Sequence, residues 1–297
     1  MKSSVSSYSF QQLISAGEIT QFETVALAAE MGFEGLDFTD LRPDNRKDAS
    51  LEEQLDFARR LRVEADRVGI AIVSYTIGAN LYTGSPEGDA AEVERLCGQL
   101  RVAAALGAQC MRHDVCYKNV VDGKLVGFDR MLPTIAKNAR AVTEYAKTLG
   151  IRTCTENHGY IAQDSDRVER LYYAVDHENY GLLVDVGNFA CADEDSAKAV
   201  SRLAPYAIHV HVKDFLKFAY GEDVPEELKS FPTRARNRLA GCAIGDGVIP
   251  VKQCLAILKA ADYNGYVSIE FEGHKPCLDE IRLGLSRLKD YLKEIEA

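Results

Sequence analysis

The stretch AKTLGIRTCTE, residues 146–156, contains the end of one predicted element and the whole of the next. It starts with the last turn of an amphipathic helix, continues with a glycine, and ends in a short β-rich run. Glycine just past a helix end is a common left-handed cap, because it lacks the Cβ that would clash in that conformation. The stretch therefore predicts a helix, a tight loop and a strand.

Similar stretches recur along the chain. They are AAEMGFEGLDF (28–38), ADRVGIAIVSY (65–75), AAALGAQCMRH (103–113) and, less closely, AADYNGYVSIE (260–270). The segments before them carry apolar residues at helical spacing, which indicates helices with one buried face. The whole chain then gives strands near 4–10, 34–38, 70–76, 109–114, 151–157, 181–186, 207–213 and 265–272. Helices are predicted near 21–31, 51–68, 89–106, 129–149, 165–177, 195–203, 250–261 and 278–295.

This alternation of strands and helices predicts an α/β fold, a single closed (β/α)8 barrel. Open doubly wound sheets usually have fewer strands and leave edges that need protection. We see no linker or change of composition, so we predict one domain over residues 1–297. The longest irregular segment, residues 214–249, follows the seventh strand and is expected to cap one end of the barrel.

The composition excludes several classes of partner. A net charge of −10 repels nucleic-acid backbones, so a nucleic-acid partner is not expected. No apolar run approaches the roughly 20 residues that cross a bilayer, which argues against a membrane partner. The start, MKSSVSSYSF, lacks the apolar segment of a secretory signal. We therefore expect a cytoplasmic protein.

Catalytic groups of such barrels lie at the carboxyl ends of the strands, so polar residues at these ends are the candidates. Glu156 ends the fifth predicted strand and Asp185 the sixth. Alternation along strands seven and eight turns a polar set into the barrel: His209, His211, Lys213, Ser268, Glu270 and Glu272. The apolar residues between them, beginning with Ile208, are expected to face the helices.

Four of these residues form a predicted metal site. Glu156, Asp185, His211 and Glu270 come one each from four consecutive strands. Isolated buried charges are expensive, and a divalent cation would compensate this set. Mixed carboxylate and imidazole ligands suit one ion of Mn²⁺, Mg²⁺, Co²⁺ or Zn²⁺. His209 is interpreted as a supporting residue, and Glu272 as a loop contact.

The fourth strand ends in MRHDV, residues 111–115, and offers a substrate contact. Alternation lets only one of Arg112 and His113 face inward, and the sequence does not decide between them. Of the two, we take His113 as the predicted substrate-binding residue.

Several of these motifs also carry a family resemblance. They are TENHG (155–159), DVGN (185–188), HVHVKD (209–214), GDGVIP (245–250) and SIEFEG (268–273). In these motifs the chain resembles the xylose isomerase-like TIM barrels, which include sugar phosphate isomerases and epimerases and the endonuclease IV type enzymes. The resemblance covers essentially the whole chain. Its motifs are specific for the fold and the metal site, but they say little about the substrate.

The resemblance implies roles for the site residues. In the ketose epimerases the four ligands are a Glu, an Asp, a His and a Glu, which correspond to the predicted metal set. Those enzymes use the two glutamates as acid and base on opposite faces of the sugar, which implies catalytic roles for Glu156 and Glu270. A metal at this position would stabilise the enediolate that forms when the proton leaves. Asn188 and Lys213 are then expected to hold substrate hydroxyls, and His158 either to do the same or to order Glu156.

The chain departs from the resembling families at some positions. The epimerases carry a histidine where Asn188 stands and an arginine where Lys217 stands, so the ends of the substrate are expected to be held differently. The endonuclease branch needs three zinc ions, and this chain lacks its second histidine after Asp185. DNA repair is therefore not expected.

The leading prediction is a metal-dependent carbohydrate isomerase or epimerase acting on a sugar or sugar phosphate. The same metal and bases could instead catalyse β-elimination from a keto-sugar or related acid, which would make the protein a lyase or dehydratase. A binding barrel without catalysis is a third reading, against which the intact ligand set argues. The expected partner is a small-molecule carbohydrate, and a homo-oligomer is compatible with the fold.

Overall fold

A computed structural model describes residues 1–117, 119–121 and 123–296. Eight parallel strands close into a barrel in the order β1-β8-β7-β6-β5-β4-β3-β2. Their bounds are β1 Lys2–Ser6, β2 Gly35–Thr39, β3 Ala71–Ile77, β4 Cys110–His113, β5 Arg152–Glu156, β6 Tyr180–Asp185, β7 Ala207–Val212 and β8 Tyr266–Ile269. The predicted (β/α)8 barrel is confirmed.

Helices connect these strands around the outside of the barrel. They are Glu23–Met31, Leu51–Val68, Pro86–Leu106, Phe128–Thr148, Ser165–Val175, Ser196–Leu203, Val251–Ala260 and, after the last strand, Cys277–Glu296. A short helix, Gln11–Ala16, precedes the first of them. Gly150, in the stretch quoted first, has a φ of 70°, as expected for a left-handed turn after a helix. Among the described residues, no helix is both long enough and apolar enough to cross a bilayer.

Two predicted elements differ from the structure. The first strand ends at Ser6 rather than near residue 10, because Ser7–Phe10 forms a 3₁₀ turn in which the Ser6 side chain accepts a hydrogen bond from the Tyr8 N–H. The segment 214–249 was predicted as irregular. It contains a three-stranded antiparallel sheet formed by Asp214–Phe218, Ser230–Pro232 and Arg238–Cys242. Short strands with few alternating residues give little signal in a sequence, which explains the difference.

One side chain of β7, Ile208, points to the side of the strand opposite to the one predicted. The register between β6 and β7 shifts at Leu182/Leu183, so that Leu183 pairs with His209. Such an irregularity adds a residue to one strand and changes where its side chains point. Ile208, predicted to face the helices, packs instead against Cys110, Cys154 and Leu183. His209 and His211 remain buried at the inner wall.

The layer between the barrel and its helices supplies most of the apolar core. Leu61 lies in this layer on Leu51–Val68 and is fully buried, whereas Val63 on the same helix is 68 % exposed. Leu61→Ala should destabilise the fold by about 2–5 kcal/mol, because it leaves a cavity that cannot collapse fully. Val63→Ala is the matched control and should change stability by about 0.5 kcal/mol or less. Urea unfolding of both variants tests this, and equal shifts would contradict the assigned packing.

Candidate active site

The carboxyl ends of β5 to β8 bring together the four predicted metal ligands. Glu156 is the last residue of β5 and Asp185 the last of β6, while His211 lies in β7 and Glu270 directly follows β8. All four side chains are buried, and each offers a ligand atom within 4.8 Å of the others. Consecutive strands of a closed barrel deliver their ends to one place, which is why this spacing in the sequence becomes a cluster.

Two atoms of this cluster indicate that it suits a cation. Among the described residues, His211 Nδ1 is buried and has no hydrogen-bond partner, and Asp185 Oδ2 has only an ion contact, 3.1 Å from Lys213 Nζ, although buried polar atoms are nearly always paired. Burial, together with the neighbouring Glu156 and Glu270 carboxylates, raises the pKa of Asp185 to about 7 even with the Lys213 ammonium beside it, so further positive charge would favour the ionised carboxylate. Three carboxylates and an imidazole are ligands of the kind that Mn²⁺, Mg²⁺, Co²⁺ and Zn²⁺ accept. The residues present therefore fit a divalent ion.

Asp185 is held in position by the residues around it. Its Oδ1 accepts hydrogen bonds from the N–H groups of Gly187 (2.8 Å) and Asn188 (3.0 Å). Asn157 fixes its backbone, since the Asn157 side chain accepts from the Asp185 N–H and donates to the Asp185 carbonyl, both at 2.9 Å. Only Oδ2 is left to face the cluster. Asn157 thus explains one polar residue of the TENHG motif, a role that the sequence did not reveal.

Asp37, on β2, orients the histidines from across the barrel. Its Oδ2 accepts hydrogen bonds from His209 Nε2 (2.7 Å) and His211 Nε2 (3.0 Å). Burial opposes ionisation of this carboxyl, but the two histidines lower its pKa below the ordinary range. A proton on His211 Nε2 leaves the Nδ1 lone pair available as a ligand. Sequence analysis missed Asp37. The feature that could have revealed it is a single acidic residue at an inward-facing position of an otherwise apolar strand.

Replacing Asp37 with asparagine should weaken metal binding about 10–100-fold, because asparagine cannot accept both hydrogen bonds as strongly or hold His211 in this tautomer. Titration of the purified variant with Mn²⁺ measures this. Asp66→Asn, at an exposed position, is the control and should bind as the wild type does. Unchanged affinity in Asp37→Asn would show that the carboxylate does not support the site.

Glu156 is engaged on both oxygens. Its Oε2 lies 2.6 Å from Arg112 Nη2, and its Oε1 accepts from Asn188 Nδ2 at 2.9 Å. Asn188, predicted to bind substrate, contacts the Glu156 carboxylate in the structure. Arg112 also pairs with Asp114 Oδ1 at 2.7 Å, so one buried guanidinium links two carboxylates.

Arg112 and His113 lie on opposite sides of β4. Arg112 lines the cavity described below, whereas His113 is fully buried, its Nδ1 2.8 Å from the Asp114 carbonyl oxygen. Burial lowers the pKa of His113, as expected for an imidazole enclosed by the fold. The candidate substrate contact on β4 is therefore Arg112. His113 follows it by one residue and takes the opposite side of the strand.

His158 pairs with Asp114 at the edge of the site. Its Nδ1 lies 2.9 Å from Asp114 Oδ1, and its side chain is 46 % exposed while that of Asp114 is 7 % exposed. Burial alone would lower the pKa of His158, but the Asp114 carboxylate raises it above the ordinary value. This pair has the histidine–carboxylate arrangement in which the acid holds one ring nitrogen and leaves the other available for proton transfer.

Lys213 neutralises the opposite side of the cluster. Its Nζ lies 2.5 Å from Glu270 Oε2, 2.5 Å from Glu272 Oε1 and 3.1 Å from Asp185 Oδ2. Burial disfavours the ammonium, yet these carboxylates raise the pKa of Lys213 well above its usual value. Glu272, expected to serve a loop contact, is thus a partner of Lys213.

A cavity of about 400 Å³ opens above the cluster. Glu156, His158, Lys213, Glu270 and Arg112 lie along its inner part. The rest of its wall comes from the ends of β1 to β3: Tyr8, Thr39, Asp40, Arg42, Thr76, Ile77 and Gly78 among others. The cluster therefore belongs to the β5–β8 half of the barrel, and much of the remaining wall to the other half.

A sequence profile described as xylose isomerase-like TIM barrel matches residues 25–294. The chain belongs to this family. Its members share the barrel seen here, and the resemblance inferred from the motifs is confirmed over most of the chain.

Sequence relatives and solved structures of the family differ in what they are named for. An inosose dehydratase of Clostridium perfringens is 26 % identical over 176 residues, which is 59 % of this chain and 58 % of that protein. Two structures have a TM-score of 0.73. One is a probable 3-DHS dehydratase of Bacillus anthracis, 18 % identical and covering 97 % of this chain and 99 % of its own. The other is a D-psicose 3-epimerase of Clostridium cellulolyticum, 17 % identical and covering 98 % and 99 %. At these identities the structures establish the fold.

Proposed function

We propose that the protein is a divalent-metal-dependent dehydratase that removes water from a keto-polyol of the carbohydrate type. The observation that carries the proposal is which partners the acid–base groups around the cavity already have. Glu156 is paired with Arg112 and Asn188, and Glu270 with Lys213. His158 is paired with Asp114 through one nitrogen and lines the cavity.

This arrangement suits elimination better than inversion of a stereocentre. Epimerisation through two bases needs a proton acceptor on one face of the substrate and a donor on the other. Both glutamates expected to do this already accept charge-assisted hydrogen bonds, Glu156 from Arg112 and Glu270 from Lys213, so the oxygens that would take the proton are engaged. A syn elimination needs one group, which first takes the proton and then gives it to the leaving oxygen. His158 can supply both steps.

The proposed reaction balances with this single group. His158 Nε2 accepts the proton from the carbon next to the ketone, and the C–H electron pair becomes the new C=C bond. The C–O bond on the following carbon breaks, and its oxygen leaves with the proton returned by His158. The products are an unsaturated ketone and water, and the imidazole ends neutral. Asp114 holds the Nδ1 proton throughout and keeps the ring oriented.

The metal ligands would support this chemistry. A divalent ion held by Glu156, Asp185, His211 and Glu270 would supply Lewis-acid stabilisation of the negative charge that develops next to the broken C–H bond. Arg112 links Glu156 to Asp114 and so keeps the ligand and the acid–base pair in register. The inosose dehydratase relative acts, by its name, on a keto-polyol, which supports the substrate class although the alignment covers 58 % of that protein.

Isomerisation or epimerisation, the leading prediction from the sequence, is the second candidate. Glu156 and Glu270 stand on different strands and belong to the same ligand cluster, as that reaction requires. It would require substrate or metal to release both glutamates from Arg112 and Lys213.

Incubation of the Mn²⁺-loaded protein in D₂O with an inosose and with free ketohexoses tests these proposals. Loss of one water, seen by mass spectrometry together with ultraviolet absorbance of an unsaturated ketone, is the expected result. Deuterium gain in a product that keeps all its oxygens would identify an isomerase or epimerase. Neither change with any substrate would refute both, and would favour a binding barrel.

A further inference from the structure

We infer that the side of the cavity formed by Asp40, Arg42 and Thr76, at the ends of β2 and β3, is a subsite for the hydroxyls of an uncharged substrate and excludes a phosphorylated one. The inference rests on the proposed function, because it takes this cavity as the place where the substrate binds. It addresses a property that the motifs leave open, which is whether the substrate carries a phosphate.

Hydrogen bonds hold the backbone of this subsite in place. Gln21, itself 5 % exposed, donates from its amide to the carbonyls of Thr39 (2.7 Å) and Asp40 (3.1 Å) and accepts from the Arg42 N–H (2.7 Å). The Asp40 N–H bonds to the Thr76 carbonyl at 3.0 Å. Asp40 has a φ of 29°, in the left-handed region that few non-glycine residues adopt. These contacts fix the backbone from which Asp40 and Arg42 extend, and their side chains are 56 % and 31 % exposed.

An unpartnered polar side chain lies in the same corner. Thr76 is 7 % exposed and lines the cavity, and its hydroxyl has no hydrogen-bond partner within the part of the chain that the structure describes. It lies beside Thr39 and Arg112 in register at the ends of β2 to β4, on the inward side. A buried hydroxyl without a partner is costly, and a substrate hydroxyl can both donate to it and accept from it. Hydroxyls are thus the group that this corner best accommodates.

The charges along the cavity favour a neutral ligand. Each of its three cationic side chains already faces a carboxylate: Arg42 faces Asp40 at 3.7 Å, Arg112 faces Asp114 and Glu156, and Lys213 faces Glu270 and Glu272. The described lining carries five carboxylates against these three cations, and the ligand cluster adds Asp185, so a bound divalent ion would still leave the site without a net positive charge from these groups. A phosphate placed at Arg42 would meet the Asp40 carboxylate, and like charges in contact disfavour binding strongly.

Asp40 is therefore the residue that sets the preference. Its carboxylate balances the charge of Arg42. Together the two side chains can donate hydrogen bonds to substrate hydroxyls and accept hydrogen bonds from them. Without the Asp40 charge, Arg42 would offer an unbalanced guanidinium, the side chain that best binds phosphate. Asp40→Asn should consequently turn a subsite for a neutral diol into one that tolerates an anion.

Direct binding to the Mn²⁺-loaded protein tests the inference without turnover. Titration calorimetry with myo-inositol and with an inositol monophosphate should show at least about tenfold tighter binding of the neutral polyol by the wild type. Asp40→Asn should shift this ratio about tenfold toward the phosphate, and Arg42→Gln should weaken the neutral polyol without improving the phosphate. Asp48→Asn, 85 % exposed and away from the lining, is the matched control and should leave the ratio unchanged.

Each other outcome has a distinct meaning. Tighter binding of the phosphate by the wild type, lost in Arg42→Gln, would overturn the inference and leave the proposed dehydratase intact. An unchanged ratio in Asp40→Asn would also overturn it, since Asp40 would then not set the preference. Failure of both ligands to bind the metal-loaded wild type would remove the cavity as a polyol site and the proposed function with it.

Discussion

Asp185→Asn should lose both bound metal and dehydration, with turnover falling by about 10³-fold or more. The substitution preserves size but removes the charge of a candidate ligand whose buried Oδ2 lies beside the cluster, 3.1 Å from Lys213 Nζ. An amide NH₂ in its place would point a donor at the cluster. Elemental analysis after dialysis against Mn²⁺ and the mass-spectrometric dehydration assay measure the two effects together.

Asp223→Asn, an exposed acid in the segment after β7, is the matched control and should keep wild-type metal content and activity. A variant at Asp185 that retained stoichiometric metal would show that this carboxylate is not a ligand. Loss of activity with metal retained would assign Asp185 a role in positioning the substrate instead.

His158→Gln should lower kcat by about 10²–10⁴-fold while metal content stays the same, because in the proposed mechanism the imidazole moves the proton, and His158 does not belong to the candidate ligand cluster. KM should change much less, since the group acts mainly in the transition state. Exchange of the substrate proton next to the ketone with D₂O should be lost in parallel, as it depends on the same acceptor.

His274→Gln, at an exposed histidine beyond β8, controls for the loss of a ring and should behave as the wild type. Near wild-type kcat in His158→Gln would remove that residue from the mechanism and return Glu156 and Glu270 to consideration as bases. Loss of metal in His158→Gln would instead show a structural role at the site.

The fold was predictable because each helix end, glycine and strand carried its own local signal. The ligand cluster was predictable for a related reason: Glu156, Asp185, His211 and Glu270 end successive strands, and barrel geometry alone brings such ends together. The interior positions of His209 and His211 followed from alternation. Ile208 did not, since the register shift beside it has no signature in the sequence.

What the sequence could not show is which polar side chains pair across the barrel. Asp37 reaches His209 over 172 positions of chain, and no local pattern connects them. The engagement of Glu156 by Arg112 and Asn188 likewise depends on three strand ends meeting. These pairings are the reason that the proposed mechanism assigns proton transfer to His158 and not to the glutamates.

The split of the cavity between two halves of the barrel has an evolutionary consequence. The ligand cluster depends on β5 to β8, while Asp40, Arg42 and Thr76 sit on loops and ends of β2 and β3. Substitutions in the second group can change which substrate fits and leave the ligand cluster intact, provided that Asp37 is unchanged. A lineage with this layout could diversify by drift at a few loop positions, and a laboratory library confined to 40–42 and 76–78 would sample that same freedom.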